Sequence, residues 1–134
     1  MKKSLFYILI GVILLVSFIV FNNKNSGQKV YTYDAPPSSN LKTEGDKQIV
    51  EIKAKGGYTP AMTTAKAGVP TIIRVQTNGT FDCSTALRIP EINYSKNLPP
   101  TGTTDIEVPA QEAGTTLSAL CSMGMYHFKV QFNS

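Results

Sequence analysis

The chain from residue 47 to its end consists of short runs in which apolar and polar residues alternate. In one run, Val50, Ile52 and Ala54 alternate with charged residues. This period of two is typical of a strand that buries one face. The runs of strand-like composition are 48–55, 69–77, 104–109, 115–120 and 126–132. Because Gly, Pro and Asn separate these runs and no segment has a long helical period, the sequence predicts an all-β domain, a sandwich or barrel.

A second feature is an apolar segment over residues 5–21, in which only Gly11 and Ser17 are not strongly apolar. As a helix it would rise about 26 Å, close to the roughly 30 Å hydrocarbon core of a bilayer. No small-residue cleavage site and no lipid-accepting cysteine directly follow it. The sequence therefore predicts an uncleaved N-terminal transmembrane anchor over residues 1–21, in a single-pass protein of the cell membrane.

Residues 22–46 separate the apolar segment from the strand-like region. They are rich in Asn, Ser, Pro and Lys, which indicates a flexible linker. The predicted domain organisation is therefore an anchor, a linker and one β-domain over residues 47–134. Lysines flank both ends of the apolar segment in nearly equal number, so charge alone does not fix the side of the membrane that the domain faces.

Composition narrows the classes of function. Lys and Arg number 13 against 9 Asp and Glu, a surplus too small and too dispersed for binding to a phosphate backbone, so we expect no nucleic-acid partner. The single histidine, His127, excludes a His-rich zinc site, and strand alternation predicts that it points outward. Because the sequence has no combination of nucleophile, base and orienting group typical of an enzyme, we predict no catalytic residues.

Sulfur-bearing residues concentrate the chemistry at two places, Cys83 and the segment Cys121-Ser-Met123-Gly-Met125. A loop with sulfur at alternate positions can bring a thiolate and two thioethers together. These soft donors suit a soft ion such as Cu(I), whereas zinc prefers more thiolate or imidazole. Ag(I) shares the preferences of Cu(I), so ligand type does not separate the two ions. The candidate metal ligands are Cys83, Cys121, Met123 and Met125.

Each sulfur-bearing residue also has a structural interpretation. A disulfide between Cys83 and Cys121 would suit a small extracytoplasmic β-domain, and the spacing leaves this alternative open. Met62 is interpreted as a core residue. For the two methionines of the C-x-M-x-M segment, the intervening Gly124 favours a tight loop that exposes sulfur over a packed strand.

The segment GGYTPAMTTAKAGVPTIIRV, followed by two loops with candidate ligands and a final strand, resembles the cupredoxins. The resemblance covers residues 47–134 and implies a Greek-key β-sandwich or barrel. Blue-copper cupredoxins hold copper with two His, one Cys and a weak axial Met. This chain has Cys83 where the first His would fall and no His at the expected place in the last loop. Blue-copper electron transfer is therefore disfavoured, but it stays as an alternative.

With its apolar N-terminal segment, the chain more closely resembles the CupA-type membrane-anchored Cu(I) chaperones of Gram-positive copper resistance. That resemblance implies two Cu(I) ions, a tighter one between Cys83 and Cys121 and a weaker one on Cys83, Met123 and Met125. It also implies a copper-exporting P-type ATPase as the partner. Free thiolates and loading of the exporter from inside would place the domain in the cytoplasm. We expect a monomer with no other cofactor.

Overall fold

The computed structural model describes residues 1–22 and 39–134. Within those ranges the chain forms one α-helix, α1, Lys2–Asn22, and ten β-strands. The strands are β1 Leu41–Glu44, β2 Lys47–Ala54, β3 Tyr58–Thr59, β4 Met62–Lys66, β5 Thr71–Thr77, β6 Ala86–Ile89, β7 Tyr94–Asn97, β8 Gly102–Val108, β9 Thr116–Cys121 and β10 His127–Asn133. Two 3₁₀ helices, Cys83–Thr85 and Pro90–Ile92, flank β6.

The first compact unit of the chain, Met1–Tyr33, contains α1. No helix in the parts of the chain that the structure describes is long and apolar enough to cross a membrane. The predicted transmembrane anchor and single-pass membrane localisation are therefore wrong. The predicted orientation of the domain relative to a membrane was defined by that anchor and falls with it.

Most of the predicted linker over residues 22–46 lies outside the described residues. Its residues 41–44 form β1, which pairs antiparallel with β2. The side-chain amide of Asn40 fixes the start of this strand, because it donates to the Glu51 carbonyl at 3.0 Å and to the Thr63 hydroxyl at 2.8 Å. The sheet therefore begins earlier in the chain than the pattern of apolar residues indicates.

The second compact unit, Asp34–Ser134, is a sandwich of two five-stranded sheets. The first sheet has the order β1-β2-β5-β8, with β3 paired to β2, and the second has the order β4-β10-β9-β6-β7. Strand β2 pairs in parallel with β5, and β4 pairs in parallel with β10. The other described pairs are antiparallel. The prediction of an all-β sandwich is confirmed.

Alternation places one face of each central strand between the sheets. In β10, Phe128, Val130 and Phe132 are fully buried, whereas His127 and Lys129 are exposed. The outward position predicted for His127 is therefore confirmed. Burial of apolar surface, at about 25 cal/mol per Å², is the main favourable contribution to such a fold. The largest fully buried side chains are Phe128, Phe132, Ile49, Ile52, Ile73, Leu87, Ile89, Leu117, Val50, Val75, Val108 and Val130.

Truncation of a buried ring tests this core. We expect Phe132→Ala to lower the free energy of unfolding by about 3–5 kcal/mol, because Phe132 is 0% exposed and its removal leaves a cavity. Urea denaturation of the full chain measures the change. Phe81→Ala is the matched control, because that ring is 84% exposed and its loss should change stability by no more than about 0.5 kcal/mol. Equal effects of the two substitutions would contradict the assignment of the core.

Candidate metal centre

Strand pairing brings the two cysteines to the same end of the second sheet. Cys121 is the last residue of β9 and lies opposite Leu87 of β6. Cys83 begins the 3₁₀ helix that leads directly into β6. The Ser122 N–H donates to the Ala86 carbonyl at 2.9 Å and joins the two segments. The two thiols lie close enough for each to shift the pKa of the other.

The loop from Cys121 to Tyr126 folds around the Cys121 sulfur. The Gly124 N–H donates to the Cys121 carbonyl at 2.8 Å, and the Cys121 N–H donates to the Tyr126 carbonyl at 3.0 Å. Gly124 has a φ of +69°, a left-handed conformation that favours glycine. In this tight loop the backbone N–H groups of Met123, Met125 and Tyr126 donate to the Cys121 sulfur.

Burial divides the four candidate ligands into two kinds. Cys121 is fully buried and Cys83 is half-buried, whereas Met123 is 72% exposed and Met125 is 62% exposed. The structure brings the two thiols into contact. It leaves both thioethers exposed on the loop that begins at Cys121, two and four residues after that buried cysteine.

Met62 lies outside this group and away from the core. Its side chain is exposed, because the inward positions of β4 are those of Thr63 and Ala65, so the interpretation of Met62 as a core residue is wrong. Among the residues described, no three His, Cys, Asp or Glu side chains form a group that could hold a metal ion. The candidate site is therefore defined by two thiols and two thioethers.

The two thiols differ in acidity. Burial raises the pKa of Cys121, but the hydrogen bond from Cys83 and the three backbone N–H donors outweigh it and lower the pKa to about 7. The same hydrogen bond raises the pKa of Cys83, because Cys83 must keep its proton in order to donate. Near pH 7 the pair therefore begins to carry one thiolate, the form of cysteine that binds metals.

Two residues that hold the Cys83 turn were not identified from the sequence. The Asp82 carboxylate accepts the Ser84 N–H at 2.8 Å, and the Tyr58 hydroxyl donates to the Ser84 carbonyl at 2.9 Å. Hydrogen bonds from Ser84 and from the Gly56 N–H lower the pKa of Asp82, and burial raises the pKa of Tyr58. The order Asp-Cys-Ser, with an N-cap acceptor two residues before its donor, is a sequence signal for Asp82. We find no comparable signal for Tyr58.

The donor set determines which ions the site suits. Both cysteines are free thiols, so the structure does not contain the disulfide that the spacing left open. Thiols and thioethers are soft donors, which suit Cu(I), whereas zinc and Cu(II) sites usually include imidazole. The one imidazole of the chain, His127, is exposed on β10. The residues at this end of the sandwich therefore fit a soft monovalent ion.

A β-sandwich with paired thiols and exposed thioethers at one end has the architecture of a soft-metal-binding protein. The chain belongs to the family of cupredoxin-like domains, whose sequence model matches residues 11–132. The predicted resemblance to the cupredoxins is thereby confirmed at the level of the family. No curated protein matches the chain in sequence.

Two solved structures share this fold. One is the NMR solution structure of a copper binding protein in the apo form, with a TM-score of 0.63 and 25% identity over 69% of this chain and 94% of that chain. The other is the metal-binding domain of the Streptococcus pneumoniae D39 Cu(I)-exporting P-type ATPase CopA with Cu(I). Its TM-score is 0.62, with 21% identity over 70% of this chain and 93% of that chain, which shows a common fold only. Both matched chains are described by the metal that they bind, one as a copper binding protein and the other as a metal-binding domain with Cu(I).

We expect the two thiols to ionise in separate steps. In the reduced, metal-free protein, one thiolate should appear with a midpoint near pH 7, because the Cys121 sulfur accepts one thiol and three backbone donors. The second thiolate should appear above the ordinary range of cysteine, because the hydrogen bond to Cys121 holds the proton on Cys83. The ultraviolet absorbance of the thiolate measures both steps.

A variant and a stability measurement check this assignment. Cys83→Ala removes one donor and should raise the midpoint of Cys121 above 7. Because the folded pKa of Cys121 is lower than the unfolded one, the free energy of unfolding should increase as pH rises from 7 towards 8.5, and the contribution is lost as pH falls through 7. Simultaneous ionisation of both thiols near pH 8.5 would contradict the hydrogen-bonded pair.

Proposed function

We propose that this protein is a copper chaperone that carries two Cu(I) ions on sulfur ligands and passes them to a copper-exporting P-type ATPase in copper resistance. The observation that carries the proposal is the contact between two thiols at the end of the sandwich where two thioethers are exposed. Cu(I) is stable with two thiolates, and thioethers are also soft ligands for it. One loop cluster would thus provide both a holding site and a transfer site.

The holding site is assigned to Cys83 and Cys121. Their hydrogen-bonded sulfurs need little movement to accept a shared ion in place of a proton. Cys121 is fully buried, which shields its sulfur from water and from competing ligands in solution. The backbone donors around that sulfur favour its thiolate before any metal arrives. An ion between these two sulfurs would therefore be held tightly.

The transfer site is assigned to Cys83, Met123 and Met125. Cys83 is half-buried and interacts with both the Cys121 thiol and the backbone N–H of Met123, so it can serve both ions. The two methionines are more than 60% exposed, so their thioethers are open to an approaching protein. Thioethers are neutral and bind Cu(I) less strongly than thiolates do. An ion held in this way can pass to a partner by ligand exchange.

The comparisons support copper as the cargo and an exporter as the partner. The match to this chain includes most of the length of the apo copper binding protein. The second neighbour is the metal-binding domain of a Cu(I)-exporting P-type ATPase, which has the same fold. A chaperone and an acceptor domain of similar shape could present corresponding ligand-bearing ends to each other.

A titration with Cu(I) tests the two sites. The reduced, anaerobic full chain should bind two equivalents of Cu(I) in competition with a chromophoric chelator. Cys83→Ser should lose both equivalents, because Cys83 belongs to both sites. The double variant Met123→Ala/Met125→Ala should lose only the weaker equivalent, because its two thiols are unchanged. The chelator absorbance reports the free Cu(I) at each step.

Met62→Ala is the matched control for the methionine variants. Met62 is 58% exposed but lies on β4, outside the C-x-M-x-M loop, and its loss should leave both equivalents in place. The same titration with Ag(I) shows whether the site separates the two soft ions. Failure of the unmodified protein to retain any Cu(I) against the chelator would overturn the copper assignment.

A transfer assay tests delivery to the exporter. The Cu(I)-loaded full chain is mixed with the metal-binding domain of a copper-exporting P-type ATPase, and copper on each protein is measured after rapid separation. We expect Cu(I) to move to the ATPase domain within the mixing time. The Met123→Ala/Met125→Ala variant, loaded with one equivalent, should transfer at least about tenfold more slowly, because the exposed ligands that begin the exchange are absent.

The transfer assay includes a control for copper that is merely released. In the control, the ATPase domain is replaced by a small chelator that buffers free Cu(I) at the same concentration. This chelator should remove copper from the chain more slowly than the domain does. Equal rates for the chelator and the domain would show that copper dissociates into solution first. That result would contradict direct delivery while leaving Cu(I) binding intact.

A further inference from the structure

Cys83 and Cys121 are held by different kinds of secondary structure. Cys121 ends a central strand that is hydrogen-bonded on both sides, to β10 and to β6. Cys83 instead begins a 3₁₀ helix of three residues, Cys83–Thr85. Such short helices have poorer hydrogen-bond geometry than α-helices, and this one makes few bonds of its own. The position of the Cys83 sulfur must therefore depend on groups outside the turn.

The Asp82 carboxylate is the group that ties this turn to the rest of the fold. Its Oδ1 accepts the Ser84 N–H at 2.8 Å and also accepts the Ser84 hydroxyl. Its Oδ2 accepts the Gly56 N–H at 2.9 Å. Gly56 lies in the turn between β2 and β3, which belong to the first sheet, whereas Cys83 leads into the second. One carboxylate thus joins the Cys83 turn to the opposite sheet.

A second anchor comes from the same β2–β3 connection. The Tyr58 hydroxyl donates to the Ser84 carbonyl at 2.9 Å, and Ser84 is fully buried. The Tyr58 ring packs edge to face on Phe128 of β10, with the ring centroids 5.1 Å apart. The turn after Cys83 is therefore fixed by Tyr58 from the core side and by Asp82 from the solvent side.

We propose that Asp82 is a positioning residue for Cu(I), which holds the Cys83 thiol at binding distance from Cys121 by linking the Cys83 turn to the Gly56 turn. This inference rests on the proposed function. Asp82 acts through Cys83 and is not a ligand itself, because both of its oxygens already accept hydrogen bonds from Ser84 and Gly56. Loss of the carboxylate frees the turn, and the two sulfurs then spend less time at the separation that one ion requires.

Two variants are compared with the unmodified chain by their affinity for the tighter Cu(I). Removal of a residue that orients a metal ligand typically weakens metal binding by about 10- to 100-fold, and we expect a loss in this range for Asp82→Ala. Asp82→Asn keeps one acceptor for the Ser84 N–H and loses the acceptor for Gly56, so its affinity should lie between those of Asp82→Ala and the unmodified chain. Anaerobic competition of the full chain with a chelator measures all three affinities.

Glu91→Ala is the matched control. Glu91 also lies in a three-residue 3₁₀ helix, and its Oε1 accepts a backbone N–H, that of Ser118 on β9, at 3.0 Å. This substitution removes the same charge and the same kind of hydrogen bond, but at a distance from the cysteines along β9. Glu91→Ala should keep the Cu(I) affinity of the unmodified chain.

A spectroscopic measurement separates positioning from a loss of folding. The variants are compared by urea unfolding and by the copper–sulfur distances from X-ray absorption at one equivalent of Cu(I). We expect Asp82→Ala to unfold in one cooperative step and to show longer or more widely spread copper–sulfur distances. If Asp82→Ala does not fold, the same comparison is made with Asp82→Asn.

The outcomes distinguish a failure of the inference about Asp82 from a failure of the proposed function. If the unmodified chain binds Cu(I) and Asp82→Ala matches it in affinity and copper–sulfur distances, the inference is wrong and the proposed function stands. An equal loss of affinity in Glu91→Ala would also overturn the inference, because the effect would then be one of charge or general stability. If the unmodified chain binds no Cu(I), the proposed function fails and the inference fails with it.

Discussion

The register of β9 between β6 and β10 is the constraint on which the sulfur-bearing end depends. Leu117, Ala119 and Cys121 share the inward face of β9, and all three are buried. A slip of one residue would turn the whole set outward, so burial of the first two fixes the position of the third. The pairing of Cys121 with Leu87 then determines where the chain before β6 must bring Cys83. Core packing therefore sets the geometry of the thiol pair.

The same register explains why the four sulfurs differ in exposure. Cys121 is the last inward position of its strand, and the chain leaves the sheet directly after it. The tight loop turns its backbone N–H groups towards that sulfur, which leaves the side chains of Met123 and Met125 to point into solvent. A strand that continued for two more residues would place Met123 on the inward face as well as Cys121. Under the proposed function, the end of β9 thus separates the buried part of the holding site from the exposed part of the transfer site.

The sequence predicts the parts of this fold that carry a strong local pattern. The five runs with alternation or dense apolar residues correspond to β2, β5, β8, β9 and β10, of which all but the edge strand β8 lie inside their sheets. The strands that were not predicted are two to five residues long, and several owe their place to a partner distant in sequence, as β4 does to β10. The sulfur cluster was found from spacing. The contact between Cys83 and Cys121 could not be found in this way, because it depends on pairing across sheet neighbours.

The charge of Asp82 shows how the positioning of Cys83 relates to the loading of the site. The carboxylate and the two thiols each raise the pKa of the buried Tyr58, after the larger effect of burial. A carboxylate beside a thiolate repels it, and the hydrogen bonds from Ser84 and Gly56 offset this repulsion. The metal-free pair of one thiolate and one thiol carries one negative charge, and two thiolates with one Cu(I) between them carry the same net charge. Under the proposed function, the effect of Asp82 on loading therefore comes from the position of Cys83 and not from a change of charge at the two sulfurs.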